Sequence, residues 1–95
     1  MSTVALRQRF PLGECRITPA AREHLAAAGV AEGALIARHA TGDWGQLDPE
    51  DARENEFSIA RGFRILSNYV VNGEKVWIIT EADRSGTTIL LAQEY

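Results

Sequence analysis

The sequence predicts an α+β fold: an antiparallel sheet of three or more strands, ending in a C-terminal meander, with two short helices packed on one face. Three observations carry this. Asn72-Gly73 lies between two alternating apolar runs, and it is a strong hairpin signal because both turn positions need φ > 0. A second turn-forming run, Asp83-Arg84-Ser85-Gly86, precedes the β-branched and leucine-rich stretch Thr87 to Leu91. Thr18-Pro19 and Asp48-Pro49 each join a capping side chain to a proline, whose missing N–H costs nothing at the first helical position.

Taken in order, residues 1 to 12 read as a lead-in with a short edge strand around Ala5 to Phe10. Gly13 to Ile17 reads as a second short strand. From Thr18 a helix runs through AAREHLAAA to Gly29, a good C-terminal glycine. Its apolar side is Ala21, Leu25 and Ala28, so it needs tertiary packing to persist. Val30 to Ala40 is read as a strand, with Leu35 and Ala37 on one face and Ile36 and Arg38 on the other; helix is the alternative. Thr41 to Leu47, TGDWGQL, is a loop in which two glycines bracket Asp43 and Trp44. The second helix starts at Asp48, where Glu50 and Asp51 suit the helix dipole, and ends at Gly62. Its apolar stripe is Ala52, Ile59, Ala60 and Phe57.

The Asn72-Gly73 turn sets the register of the hairpin. Val71 faces Glu74, Tyr69 faces Val76, Asn68 faces Trp77, Leu66 faces Ile79, and Arg64 faces Glu81. A turn at Asp83 to Gly86 sets Glu81 opposite Thr88 and Ile79 opposite Leu90. Side chains alternate along a strand, so Ile65, Tyr69, Val76, Ile78, Ile89 and Leu91 share a core face. Arg64, Leu66, Asn68, Trp77, Ile79, Glu81, Thr88 and Leu90 share the other. That second face is expected to be open, or covered by the GDWG loop.

Composition bounds the function. Ninety-five residues suit a single domain, 1-95, and 45% hydrophobic content suits a folded one. Net charge is -3 and the ten basic residues are dispersed, which argues against general nucleic-acid binding. One cysteine, Cys15, cannot form an internal disulfide, and with two histidines it makes a poor metal set, so no metal or cofactor is expected. The first ten residues show no signal-peptide pattern, and no stretch is long enough to span a membrane, so a cytoplasmic setting is expected.

The candidate binding residues are His39, Asp43, Trp44, Arg64, Glu81, Asp83, Arg84 and Thr88. Arg64, Glu81 and Thr88, with the turn residues Asp83 and Arg84, would form a polar rim around the apolar strip Leu66, Ile79 and Leu90, which is the composition of a ligand pocket. Trp44 needs an apolar surface, and docking on that strip would bring His39 or Asp43 to the rim. Ser85-Gly86-Thr87-Thr88 after Asp83-Arg84 offers backbone N–H groups, hydroxyls and a guanidinium to an anion, without the helix of a P-loop.

RHATGDWG (38 to 45), GFRILSNY (62 to 69) and WIITEADRSGTTILLAQEY (77 to 95) together resemble a group of small uncharacterised proteins of plasmids, phages and integrative elements. Those carry an Arg-His-x-x-Gly-Asp-Trp-Gly loop and end in Thr-Glu-Ala-Asp-Arg-Ser-x-Thr-Thr-x-Leu-Leu-Pro-x-Glu-Tyr. The likeness spans Leu35 to Tyr95, with Ala92 where a proline is usual. It implies a mobile-element accessory protein, a class in which counter-defence and partner inhibition are recurrent roles, and no activity that can be carried over.

Two readings follow. In the first, a non-catalytic binding protein holds a partner protein or a small ligand, such as a nucleotide, on the sheet face and GDWG loop. In the second, GFRILSNY…VWIITEAD resembles the C-terminal strands of barnase-like ribonucleases, which implies Glu81 as general base, His39 as general acid, and Arg64 with Arg84 on the phosphate. The chain order here is His, Arg, Glu, whereas those enzymes place Glu first and His last.

Overall fold

Alternation along the C-terminal third becomes three strands: β2 (Ile65–Val71), β3 (Glu74–Thr80) and β4 (Gly86–Leu91). The computed structural model, which describes residues 7–95, adds β1 (Glu14–Ile17) and the helices α1 (Pro19–Ala28), α2 (Glu32–Ala40) and α3 (Pro49–Arg61), with a closing 3₁₀ turn at Ala92–Glu94. The four strands form one mixed sheet in the order β1-β4-β3-β2, with β1 parallel to β4 and the rest antiparallel. The fold is therefore α+β, with its antiparallel meander at the C-terminal end.

The hairpin register is the expected one. Asn72 (φ 49°) and Gly73 (φ 78°) both take the left-handed region that the two-residue turn demands. Val71 pairs with Glu74, Asn68 with Trp77 and Leu66 with Ile79. The β3–β4 register differs by two residues from the expected one: Ile79 pairs with Thr88 and Trp77 with Leu90. The Asp83 carboxylate accepts from the Ser85 N–H at 3.0 Å, and the Arg84 N–H donates to the Glu81 carbonyl at 2.9 Å. This closes the turn one residue early, so Glu81 meets Gly86 rather than Thr88, through a 3.0 Å backbone bond. A two-residue shift keeps every side chain on its face.

Both expected helix starts are present. Thr18 accepts from the Ala21 N–H and Asp48 from the Asp51 N–H, each with proline in the first turn. The strand expected over Val30 to Ala40 is instead α2, so three helices flank the sheet rather than two. Four alternating residues fit a helix as well as a strand, and this run holds four alanines against two β-branched residues. Glu32 in the first turn and Arg38 in the last also suit the helix dipole. Of the edge strand expected over Ala5 to Phe10, the first two positions lie outside the described residues. Arg7 to Phe10 is not a strand, and Phe10 is a buried core side chain.

α1 and α2 cover the expected face of the sheet. Ala21, Leu25 and Leu35 pack there against Tyr69, Val71, Val76, Ile78, Ile89 and Leu91. Leu25, Ile65, Tyr69, Ile78 and Ile89 are all at most 2% exposed, as the alternation requires. α3 lies along the outer edge of β2. The Asn55 amide accepts from the Leu66 N–H at 3.1 Å and donates to the Leu66 carbonyl at 2.7 Å, which copies a neighbouring strand. Among the described residues no helix is long and apolar enough to cross a membrane.

Candidate functional site

His39 projects from the last turn of α2 onto the helix-covered face, where it is fully buried. Its Nδ1 lies 2.6 Å from Ser67 Oγ and its Nε2 lies 2.9 Å from Thr80 Oγ1. Thr80 Oγ1 is 2.7 Å from Thr87 Oγ1, and the Thr87 hydroxyl donates to the Leu12 carbonyl at 2.7 Å. A carbonyl only accepts, and this sets the proton order. Thr87 gives its proton to Leu12, so Thr80 donates to Thr87, His39 Nε2–H donates to Thr80, and Ser67 donates to Nδ1. The imidazole is neutral, and burial lowers its pKa to about 4. This is a closed chain across β2, β3 and β4, with no proton to spare for a substrate.

The GDWG loop sits on the same side. Trp44 is 7% exposed and packs with Phe10 and Ile65, its ring stacked on Phe10 and edge-on to His39. It was expected on the Leu66, Ile79 and Leu90 strip of the opposite face. Because residues 32 to 40 are helical, the loop leaves from the helix layer and emerges beside Ile65. The loop then runs beside β2: the Asn68 N–H donates to the Trp44 carbonyl at 3.0 Å, and the Gln46 N–H to the Asn68 carbonyl. Gly45 (φ 75°) lies so close to β2 that a Cβ there would collide with the Asn68 carbonyl oxygen. The Arg9 guanidinium, bidentate on Glu56, lies against Gly42.

Asp43 and Arg84 are engaged within the fold. Asp43 accepts from Arg38 at 2.6 Å, which holds its carboxyl below the ordinary range. Its backbone carbonyl accepts from the Tyr69 hydroxyl at 2.7 Å, and burial pushes that phenol up to about 12. Arg84 donates to the carbonyls of Phe63, Glu81, Ala82 and Ser58, tying the β3–β4 turn to the end of α3. It does not face an anion-binding turn. Asp83 is exposed, and its hydrogen bonds from Ser85 hold it below the ordinary carboxylate range.

What the sheet brings together lies on the face turned away from α1 and α2. The Arg64 guanidinium is 3.5 Å from Glu81 and also donates to the Tyr95 hydroxyl at 2.7 Å. The Tyr95 ring lies against Trp77 with centroids 5.4 Å apart. Ile79 is buried at the centre, with Leu66, Trp77, Thr88 and Leu90 half-buried around it. Arg16 lies over Gly86 at the far side. Of the eight candidate residues, then, Arg64, Glu81 and Thr88 share this face, whereas His39 and Trp44 lie under the other. The ribonuclease reading is left without an assembled site, since the sheet stands between His39 and the pair Glu81 and Arg64.

The buried Ser67, His39, Thr80 and Thr87 chain and the Tyr95 contacts were not legible in the sequence, and neither was a groove beside α3. A cavity of about 360 Å³ opens between α3 and the open face, lined by Leu47, Asp51, Glu54, Asn55, Leu66 and Trp77. Its signal was present as a helical spacing: positions 51, 54 and 55 share one side of α3. Among the described residues, no three His, Cys, Asp or Glu side chains converge as a metal site. No family model matches this chain, and neither a curated protein nor a solved structure does.

Proposed function

We propose that this chain is a small non-catalytic binding protein that holds a partner protein on the open face of its sheet. The supporting observation is the apolar strip Leu66, Trp77, Ile79 and Leu90, uncovered by α1 and α2 and rimmed by Arg64, Glu81 and Arg16. A half-exposed apolar strip with a polar rim, here around the buried Ile79, has the make-up of a recognition surface. A protein fits it better than a nucleotide, because Arg84, within the hydroxyl-rich turn, is already bonded to four carbonyls, and Arg16, which lies over Gly86, is paired with Glu14. The GDWG loop acts as a strut that closes the edge of β2 and fills the core beneath it. The motif resemblance supports a mobile-element setting, in which the partner would be a host protein inhibited in counter-defence.

The test is affinity capture from host-cell extract with the wild type and with Leu90→Lys as baits. The expected result is a partner held by the wild type and lost on Leu90→Lys, with the unfolding curve little changed. A partner held equally by both would move the site elsewhere.

A further inference from the structure

The two edges of the sheet differ. β2 is closed along its outer side: Asn55 bonds to both backbone groups of Leu66, and the GDWG loop and Gln46 bond to both of Asn68. β1, at the other edge, has β4 on one side only. The Glu14 and Thr18 N–H groups donate to the Ser85 and Ile89 carbonyls, on the β4 side, at 3.0 Å each. Alternation then turns the N–H and C=O groups of Cys15 and Ile17 outward, where no described residue bonds to them. The side chains of Glu14, Cys15 and Arg16 are exposed. An open edge of this kind is a template for another extended chain.

The charges on β1 say which chain. An edge guarded against its own copies carries like charges, a proline or a bulge. β1 instead carries opposite charges two residues apart. Ile17 packs into the helix-covered core, so Glu14 and Arg16 share the open side, where they meet at 2.9 Å. We propose that β1 pairs antiparallel with β1 of a second copy, about a two-fold axis at Cys15. In an antiparallel ladder a residue that bonds outward must oppose another that does so. Cys15 can therefore oppose Gly13, Cys15 or Ile17 of the second copy. Opposing Ile17 sets Arg16 against Arg16, and opposing Gly13 sets Glu14 against Glu14. Opposing Cys15 sets each Glu14 across from an Arg16, so four charges alternate in sign around the axis. The two four-stranded sheets then join edge to edge, with both open faces on the same side. Four residues per strand make a small contact, so the dimer is weak and forms as concentration rises.

The test is sedimentation velocity of the full chain under reducing conditions over a range of concentrations. The wild type is expected to move from monomer toward dimer as concentration rises. Glu14→Arg and Arg16→Glu each leave four like charges around the axis and should each weaken the dimer about tenfold. The combination Glu14→Arg/Arg16→Glu should restore it. Opposed residues that exchange hydrogen bonds stand about 5.5 Å apart at Cα, within the reach of a disulfide. Mild oxidation with diamide should therefore trap a Cys15-linked dimer in the wild type and in the double variant, and far less in either single variant. A monomer at every concentration would overturn the proposal. So would single variants that dimerise as well as the wild type, or a double variant that stays monomeric while circular dichroism shows it folded. Loss of the dimer in Leu90→Lys would also overturn it, by moving self-association to the open face.

Discussion

On the helix-covered face, Ser67, His39, Thr80 and Thr87 are fully buried and bonded in one chain that ends on the Leu12 carbonyl. On the open face, Asn68 Oδ1 and Trp77 Nε1 are buried with no partner at all. The first arrangement is what a buried polar network needs in order to be tolerated and to specify one packing. The second leaves a cost in place within the fold. The contrast teaches that the residues most suggestive of chemistry, His39 and Trp44, support the structure, while the face with unmet bonding capacity carries its ionisable groups, Arg64, Glu81 and Tyr95, at an exposed rim. The two faces should therefore respond to substitution in opposite ways.

The largest expected effect is on the covered side. Trp44→Ala removes a side chain packed between Phe10 and Ile65 and should cost about 3–5 kcal/mol. Ile78→Ala, fully buried at the centre of the same face, should cost about 2–5 kcal/mol. Urea unfolding followed by circular dichroism measures both. A Trp44→Ala protein as stable as the wild type would return the loop to the list of binding elements.

A pH effect comes next. His39 is held near 4 against an ordinary value of 6.5, so the unfolded chain binds the proton more readily. Stability is then complete above about pH 6.5 and falls as pH drops from there toward 4, by about 3 kcal/mol for a shift of this size. Asp43 and Glu56 are also held low by their arginines, so their contribution is lost with acid too. Their window begins only as pH approaches the ordinary carboxylate range, and both are half exposed, so it adds little above pH 5. Unfolding curves between pH 7 and 5 should show the loss in the wild type and not in His39→Gln, compared with its own value at pH 7. A flat profile in the wild type would mean that the buried chain accepts a proton.

These predictions draw on what was legible in the sequence. Asn72-Gly73 turned alternation into a register, and the register correctly paired Arg64 with Glu81 and Asn68 with Trp77. The caps at Thr18 and Asp48 were equally readable, because a capping bond is local. Residues 30 to 40 were not, since Leu35 to Arg38 fit both periods and the deciding contacts come from the sheet. That one ambiguity displaced the GDWG loop, and with it His39, Asp43 and Trp44, to the wrong side. The groove went unread for a related reason: Asp51 and Glu54 look like ordinary acids at a helix start until the path of α3 along β2 is known. Arg84 shows the same limit, as two of its four carbonyl partners, Ser58 and Phe63, lie at the distant end of α3.

On the open side the effects on stability should be small and those on binding large. Leu90→Lys changes a half-buried residue at the margin of the strip, where the long stem can lie along the surface and keep its charge in water. It should cost about 1 kcal/mol or less, yet abolish partner capture. If it unfolded the domain, the open face would be core, and the contrast between the two faces would collapse.

The smallest expected effect is at Arg64. Its guanidinium and the Glu81 carboxylate are each nearly half exposed, and their 3.5 Å separation is loose for an ion pair. Such pairs contribute about 0–1 kcal/mol, because water screens the attraction and both side chains must be held still. The 2.7 Å bond to Tyr95 is also on the surface. Arg64→Gln should therefore leave the unfolding midpoint almost unchanged. A double-mutant cycle with Glu81→Gln should likewise give a coupling within about 1 kcal/mol. The same substitution sharpens the functional contrast, since a rim charge tunes encounter with a partner more than the stability of the fold. Arg64→Gln should slow association with the captured partner and reduce its dependence on salt, while dissociation changes little. Stopped-flow association at low and high ionic strength measures this. A large loss of fold stability would instead make Arg64 a structural residue and confine the recognition surface to Leu66, Trp77 and Leu90.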